Sequence, residues 1–216
     1  MLHKAIPPSV AALLKEICLL PLPNETYMAG GTALAIYLGH RVSVDIDLFT
    51  QESFFCGPII SEIKKAHEII VENAAERDTF VAEVDRVRVS LFRYPYPLLE
   101  PLTHNPHYDI LLASPIDIAS MKVVAIMQRG TARDFIDLKA LISAYNFTLE
   151  YLMTKVQEKY GVSKDYSYQV KRGLVFFDDA IKGLGDVAMV KNGEGVRMER
   201  KEWDEVEGFF KRLIFH

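Results

Sequence analysis

Asp45 and Asp47 stand two positions apart in the run Val44-Asp45-Ile46-Asp47-Leu48-Phe49. The alternation of apolar and acidic residues has the period of a β-strand, so both carboxylates leave one face, roughly 6.5–7 Å apart along the strand. A solvated strand face is the plain alternative, but aspartate is depleted in strands, and two of them among Val, Ile, Leu and Phe ask for a reason. Neighbouring anions repel unless a cation or a proton intervenes, and Mg²⁺ with triphosphate oxygens is a natural partner. Val44, Ile46 and Leu48 then face the core. Arg41 and Ser43 share the acidic face if the strand extends back that far, where an arginine can steady the acidic pair or a phosphate.

Three further features carry charge or close approach. Gly30-Gly31-Thr32 lies between an apolar Tyr27-Met28-Ala29 strand and a helix over Thr32–Leu38 ended by Gly39. Glycines there admit a ligand to the backbone, and a helix start offers unpaired N–H groups, which together make a phosphate cradle. A tight turn capped by Thr32 is the alternative. Lys122 sits in a helix that is otherwise apolar around it, with Ile118, Ala119, Ala125 and Ile126 one turn away. Its ammonium either meets an anion or snorkels to water. Asp134, in Arg129-Gly130-Thr131-Ala132-Arg133-Asp134-Phe135-Ile136-Asp137, falls on the inward stripe with Leu138, Leu141 and Ile142. It takes Lys122, Arg129 or Arg133 as partner, or else Thr131-x-x-Asp134 is a capping-box-like helix start.

The elements that must position these residues follow from periodicity and breakers. A first helix carries Val10, Leu13, Leu14 and Ile17, with Ser9 as its cap and Pro21 and Pro23 beyond it. A helix covers about residues 58–66. Strands cover residues 68–73, 79–84 and 86–92, the last two joined by a tight Asp85-Arg86 turn. Tyr94-Pro95-Tyr96-Pro97 is excluded from a central strand. A short strand lies near Ile110. Helices follow over about residues 115–127, 132–145, 149–160, 168–181 and 202–213, with a glycine-rich loop over 183–195. This divides the chain into an α/β core, residues 1–114, and a helical C-terminal subdomain, residues 115–216.

The 216 residues are half hydrophobic and a quarter charged, with net charge −4. That suffices to bury a core and excludes wholesale disorder. It also disfavours a protein that lives by wrapping nucleic acid, without excluding a local basic patch. Arg86, Arg88, Arg93, Lys171-Arg172 and Arg197 to Lys201 are candidate patches beside solvated charge, and Tyr94, Tyr96, Phe176 and Phe177 are candidate base-stacking rings beside core. No apolar run is long enough to span a membrane. Met1-Leu2-His3-Lys4 lacks a secretory h-region. Two cysteines, Cys18 and Cys56, suit a reducing cytoplasm. The six histidines are scattered; only His104 and His107 are near neighbours, flanking an Asn105-Pro106 turn.

Taken in order, Gly30-Gly31-Thr32-Ala33-Leu34, Arg41-x-Ser43-x-Asp45-Ile46-Asp47-Leu48-Phe49, Asp117-Ile118-Ala119-x-x-Lys122 and Arg133-Asp134-Phe135-Ile136-Asp137-Leu138 resemble the AbiEii/AbiGii toxin family. The resemblance spans about residues 28–141. It implies a polymerase-β-like nucleotidyltransferase fold of the α/β (α+β) class, a short mixed sheet whose helical C-terminal part closes over the nucleotide. The implied reaction moves a nucleoside monophosphate from an NTP to an acceptor and releases pyrophosphate. The resemblance makes Asp45 and Asp47 the ligands of Mg²⁺, or Mn²⁺ in its place, and Asp45, Asp47, Lys122 and Asp134 the catalytic set. Gly30, Gly31, Thr32, Arg41, Ser43, Lys122, Arg129 and Asp137 make up the nucleotide-binding set. It further implies RNA, notably the tRNA 3′ end, as acceptor, and a cognate antitoxin as protein partner.

One position departs from the pattern. Polymerase-β-like enzymes place a third carboxylate on a later strand, which here reads Arg86-Val87-Arg88-Val89-Ser90-Leu91-Phe92 with Ser90 where the acid would stand. Serine is a poor base and a weak metal ligand, so a two-metal version of the mechanism is not carried by these residues. Two other readings stay open: nucleotidyl or phosphoryl transfer to a protein, and a nucleotide-binding module without turnover.

Overall fold

Helix α1 (Pro8–Ile17) begins on proline, with Pro7 preceding it as cap. In the computed structural model, which describes residues 5–163 and 165–215, this corrects the expectation of a Ser9 cap. Proline presets the φ of a first helical residue and gives up only an N–H that has no intrahelical partner there. Met1–Lys4, with His3, and His216 lie outside the described residues.

Strand β1 (Tyr27–Met28) runs into helix α2 (Gly30–Leu38), which Gly39 ends in the left-handed conformation. Next come β2 (Ile46–Thr50), α3 (Cys56–Ile63), β3 (Ile69–Ala74), β4 (Thr79–Val84) and β5 (Val87–Arg93). The Asp85-Arg86 turn has positive φ at both residues, 48° and 66°, the geometry that matches the twist of a two-residue hairpin. Strands β6 (Thr103–Asn105) and β7 (Ile110–Leu112) complete a seven-stranded sheet in the order β3-β4-β5-β2-β1-β7-β6. The sheet is mixed, because β2 pairs with β5 and β1 with β7 in parallel while its other neighbours are antiparallel. His104 lies on β6 and pairs with Asp109, so the segment read as a simple turn is a strand leading into one.

From Ser114 onward the chain forms α4 (Pro115–Gln128), α5 (Ala132–Tyr145), α6 (Leu149–Tyr160), α7 (Tyr166–Gly173), α8 (Asp178–Lys182) and α9 (Arg200–Phe215). The single helix expected over 168–181 is two. The first stops at Gly173, where any side chain would overlap the Met127 sulfur of α4. The glycine-rich segment expected as loop contains a hairpin, β8 (Ala188–Lys191) and β9 (Glu194–Arg197). Its strands are short, β8 half-buried and β9 exposed along their whole lengths, so neither carries an alternation of burial for a sequence reading to detect. The hairpin props the loop after α2: Val42 N–H donates to the Ala188 carbonyl (2.8 Å) and Val190 N–H to the His40 carbonyl (3.2 Å).

One hydrophobic cluster runs through both halves of the chain. Phe135 of α5 stacks at 5.2–5.9 Å against Phe177, Phe210 and Trp203, which fixes α5 between α8 and α9. Ile46 and Leu48 are fully buried on β2, whereas Val44 is 47% exposed and does not face the core as expected. The strand starts at Ile46, so Val44 precedes the pleat. For the same reason Arg41 and Ser43 lie on the loop before β2 rather than on an extension of it. Among the described residues no helix is long and apolar enough to cross a membrane.

Candidate active site

The register of two strands brings the glycines to the acid. Tyr27 pairs with Phe49 and Met28 with Leu48 across the antiparallel β1–β2 ladder, and Ala29 N–H donates to the Asp47 carbonyl. The chain therefore turns into α2 directly beside Asp47. Gly30 makes that turn at φ +71°, and a Cβ there would lie 3.2 Å from Asp47 Oδ2. Glycine is required on both counts.

Asp47 opens into a cleft of about 340 Å³. Its lining combines Gly30, Gly31, Asp47, Lys122, Gln128 and Arg129 with the rings of Phe49, Phe92, Tyr94, Tyr96 and Tyr160. Met121, Val124 and Ala125 of α4 add apolar surface. On the parallel neighbour β5, Ser90 stands in register with Asp47 and donates its hydroxyl proton to Asp47 Oδ1 at 2.7 Å. The residue at the third-acid position thus orients the second acid. Burial holds the Asp47 pKa above the ordinary carboxylate range, helped by the charge of Asp45 and opposed by Ser90, Lys122 and Arg129. Asp45 precedes β2, is 31% exposed at its side chain, and pairs with Arg133 at 3.3 Å. Thr32 hydrogen-bonds the Asp45 carbonyl and lies 2.8 Å from Ser43 Oγ. This ties the loop that carries Asp45 to the start of α2.

Behind the cleft lies a buried ionic network. Lys122 reaches Asp134 (2.9 Å) and Asp137 (2.8 Å), so its ammonium meets anions and does not snorkel. Asp134 also accepts from Arg129 Nε (3.0 Å) and the Thr131 hydroxyl (2.7 Å). Asp134 is thus the inward partner of Lys122 and Arg129 that its place on the apolar stripe predicts, and the alternative capping box does not form, because Thr131 bonds the carboxylate instead of a backbone N–H. Arg133 turns away to Asp45. Asp137 accepts from Arg41 Nε (2.7 Å), another Arg41 nitrogen (2.9 Å) and His40 Nε2 (2.7 Å). Burial works against both carboxylates, but the cations win: Lys122 and Arg129 hold Asp134 down at about 2, and Arg41 and Lys122 hold Asp137 well below the usual range.

This geometry separates residues that the sequence reading grouped. Gly30, Gly31, Asp47, Lys122 and Arg129 face the cleft. Thr32, Arg41, Ser43, Asp134 and Asp137 are buried behind it. Gly31 carries two duties, because a Cβ on it would overlap the Arg41 guanidinium. Gly31→Ala is expected to displace Arg41 from Asp137 and to cost about 1–3 kcal/mol, the range for forcing volume into a packed site, measured by urea unfolding. Gln128, Tyr160 and His40 had no sequence signal. Each owes its place to helices or loops that meet only in the fold.

The donor set suits a hard divalent cation. Asp47 Oδ2 faces the glycine turn, Asp45 stands near enough to raise its pKa, and both offer carboxylate oxygens of the kind that hard divalent cations take, one or two at a time with the rest of the shell from phosphates and water.

A family model for the nucleotidyl transferase AbiEii toxin, type IV toxin–antitoxin system, matches residues 12–97 and 85–205. An uncharacterised protein of Aquifex aeolicus (strain VF5) is 37% identical over 203 residues, covering 93% of this chain and 92% of that one. Among solved structures, a candidate nucleotidyltransferase from H. pylori superposes with a TM-score of 0.56 at 17% identity, over 94% of this chain and 90% of that one. MenT4, a nucleotidyltransferase toxin from Mycobacterium tuberculosis H37Rv, aligns with a TM-score of 0.49 at 16% identity, over 98% of this chain and 85% of that one. With a nucleotidyltransferase fold and a family match across nearly its whole length, the chain belongs to the AbiEii family of nucleotidyl transferase toxins.

Proposed function

We propose that the cleft binds an NTP with Mg²⁺ and transfers its nucleoside monophosphate to an RNA acceptor, with a tRNA 3′ end as the specific acceptor the family suggests. The observation that carries this reading is the joint presence of Asp47, the Gly30 turn, Lys122 and Arg129 in the lining of a single cleft. When bound, Mg²⁺ would be held by Asp45 and Asp47 and would supply charge neutralisation at the α-phosphate and the leaving pyrophosphate. Two acids on Lys122 still leave one of its three N–H donors for a phosphate oxygen. Arg129, pinned by Asp134, offers a second cation at the cleft edge. The Gly30 backbone lets the phosphates approach without a side chain in the way. Ser90 spends its proton on Asp47 and supplies no base, so the chemistry rests on positioning and electrostatics. Asp134, Asp137, Arg41, Thr32 and Ser43 act as positioning residues.

For the acceptor, α7 supports RNA. Lys171 and Arg172 make no ion pair among the described residues, and Arg172 and Phe176 border a hollow that reaches Met127, next to Gln128 of the cleft. The arginines near the β-hairpin are less available: Arg88 pairs with Glu72 and Arg93 with Asp78. An antitoxin is the expected protein partner. Incubation with NTPs labelled at the α- or the γ-phosphate, Mg²⁺ and total RNA separates the readings. The proposal expects α-label in RNA, no γ-label, and loss of transfer in EDTA. Serine in place of the third acid favours a second reading, nucleotide binding without turnover, which expects Mg²⁺-dependent binding and no label in any acceptor.

A further inference from the structure

The cleft lining joins charged groups, which the proposed reading gives to the phosphates, with a cluster of aromatic rings. Tyr94 and Tyr96 pack at 4.8 Å between ring centroids, Tyr96 and Tyr160 at 4.8 Å, and Phe49 and Tyr94 at 5.5 Å. The hydroxyls of Tyr94 and Tyr160 bond each other at 2.5 Å, which ties the two side chains together and satisfies one hydrogen-bonding site on each. Tyr96 remains 39% exposed although it belongs to this cluster.

The cluster is also built to stay in place. Lys159, 2% exposed, donates to Asp117 (2.6 Å) and to the Pro97 carbonyl (2.8 Å). Asp117, fully buried at the start of α4, also accepts from Leu99 N–H (3.0 Å) and the Ser114 hydroxyl (2.7 Å). The segment bearing Tyr94 and Tyr96 is thereby anchored to α4, the helix of Lys122, and to α6, the helix of Tyr160. A buried ion pair is a costly way to gain stability. Its evident product here is a fixed distance between the aromatic rings and the cations. Prolines at 95 and 97 further restrict the segment.

We infer that this cluster is the nucleobase subsite of the NTP, with Tyr96 as its exposed stacking surface; the inference rests on the proposed nucleotide reading of the cleft. A planar ring on a polyanionic tail is the ligand class that matches aromatic rings and cations lining one cleft. Stacking uses the π-face that every base has, so the cluster adds affinity for all four nucleotides by similar factors.

The test is calorimetric titration, with Mg²⁺, of the full chain by α,β-methylene analogues of the four NTPs and by inorganic tripolyphosphate. The wild type is expected to bind each nucleotide about 5- to 100-fold more tightly than tripolyphosphate, the range of one base–aromatic stack. Tyr96→Ala should abolish that preference and leave tripolyphosphate affinity unchanged, which also reports an intact fold. Tyr96→Phe should retain the preference. The inference is overturned if the wild type binds nucleotides and tripolyphosphate equally, or if Tyr96→Ala leaves the preference in place or weakens tripolyphosphate as much as nucleotide. Those results leave the nucleotide reading standing. Failure of the wild type to bind either class overturns that reading and this inference with it.

Discussion

Asp47→Asn is expected to lower nucleotidyl transfer by at least about 10²- to 10³-fold, the range seen when one preorganised electrostatic group is removed, and to leave the protein as stable as before or more so. The two halves have one cause. Asp47 is partly desolvated and lies beside Asp45, so its charged form is unfavourable in the folded chain and its pKa lies above the ordinary range. An aspartate with a raised folded pKa subtracts stability progressively as pH rises from the unfolded-state value to the raised one, and by a constant amount above it, because the unfolded chain ionises more easily. Asparagine keeps the shape, can still accept from Ser90, and carries no charge. In EDTA, thermal melts should therefore show the variant level with or above the wild type at pH 8. The gap should close as pH falls from the raised pKa to the ordinary carboxylate value of about 3.9, where the unfolded chain takes up its proton as well. A variant that melts far lower would mean that Asp47 is structural.

Asp137→Ala is expected to be the most destabilising single change, at about 3–5 kcal/mol, the cost of orphaning buried charge. Arg41 is 4% exposed and Lys122 6%, and both would lose a carboxylate with no water to replace it. For a chain of this size that corresponds to a fall in Tm of about 6–20 °C. Lys122 would keep Asp134 alone, and the Arg41 loop, which leads through Ser43 to Asp45, would lose its anchor. Transfer should fall together with stability, unlike the Asp47 variant. Differential scanning calorimetry alongside the labelled-NTP assay separates the two patterns. The sign with pH is also distinct. Asp134 and Asp137 have depressed folded pKa values, so their contribution is present above about pH 4 and is lost as pH falls to about 2, where Asp134 titrates, and below.

The parts of this site that were legible in the sequence are those where local composition conflicts with local structure. Asp47 in an apolar strand and Lys122 in an apolar helix each contradict the environment their neighbours predict, and both contradictions resolve at the cleft, whereas Asp45 stands on the loop before the strand and pairs with Arg133. Ser90 was legible as an absence, but its donation to Asp47 depends on the parallel pairing of β2 with β5, which no local pattern encodes. The Arg41–Asp137 clamp joins residues 96 positions apart. The sequence offers Arg41 to the acidic pair or a phosphate and Asp137 to the nucleotide; that the two clamp each other emerges only when α5 packs against α2. Helices α5 and α6 kept their expected limits because each ends in a left-handed cap, at Asn146 and Gly161. The break at Gly173 needed knowledge of Met127, and the β8–β9 hairpin needed the His40–Val42 loop that it pairs with.

Electron paramagnetic resonance of Mn²⁺ measures the central claim most directly, because the free ion's signal is lost when protein and nucleotide share it. With a nonhydrolysable NTP analogue present, the wild type should sequester Mn²⁺, and the Asp45→Asn/Asp47→Asn double variant, folded by circular dichroism, should release it to the level of nucleotide alone. Equal sequestration by the wild type and the double variant would contradict the assignment of these two carboxylates as the seat of the metal.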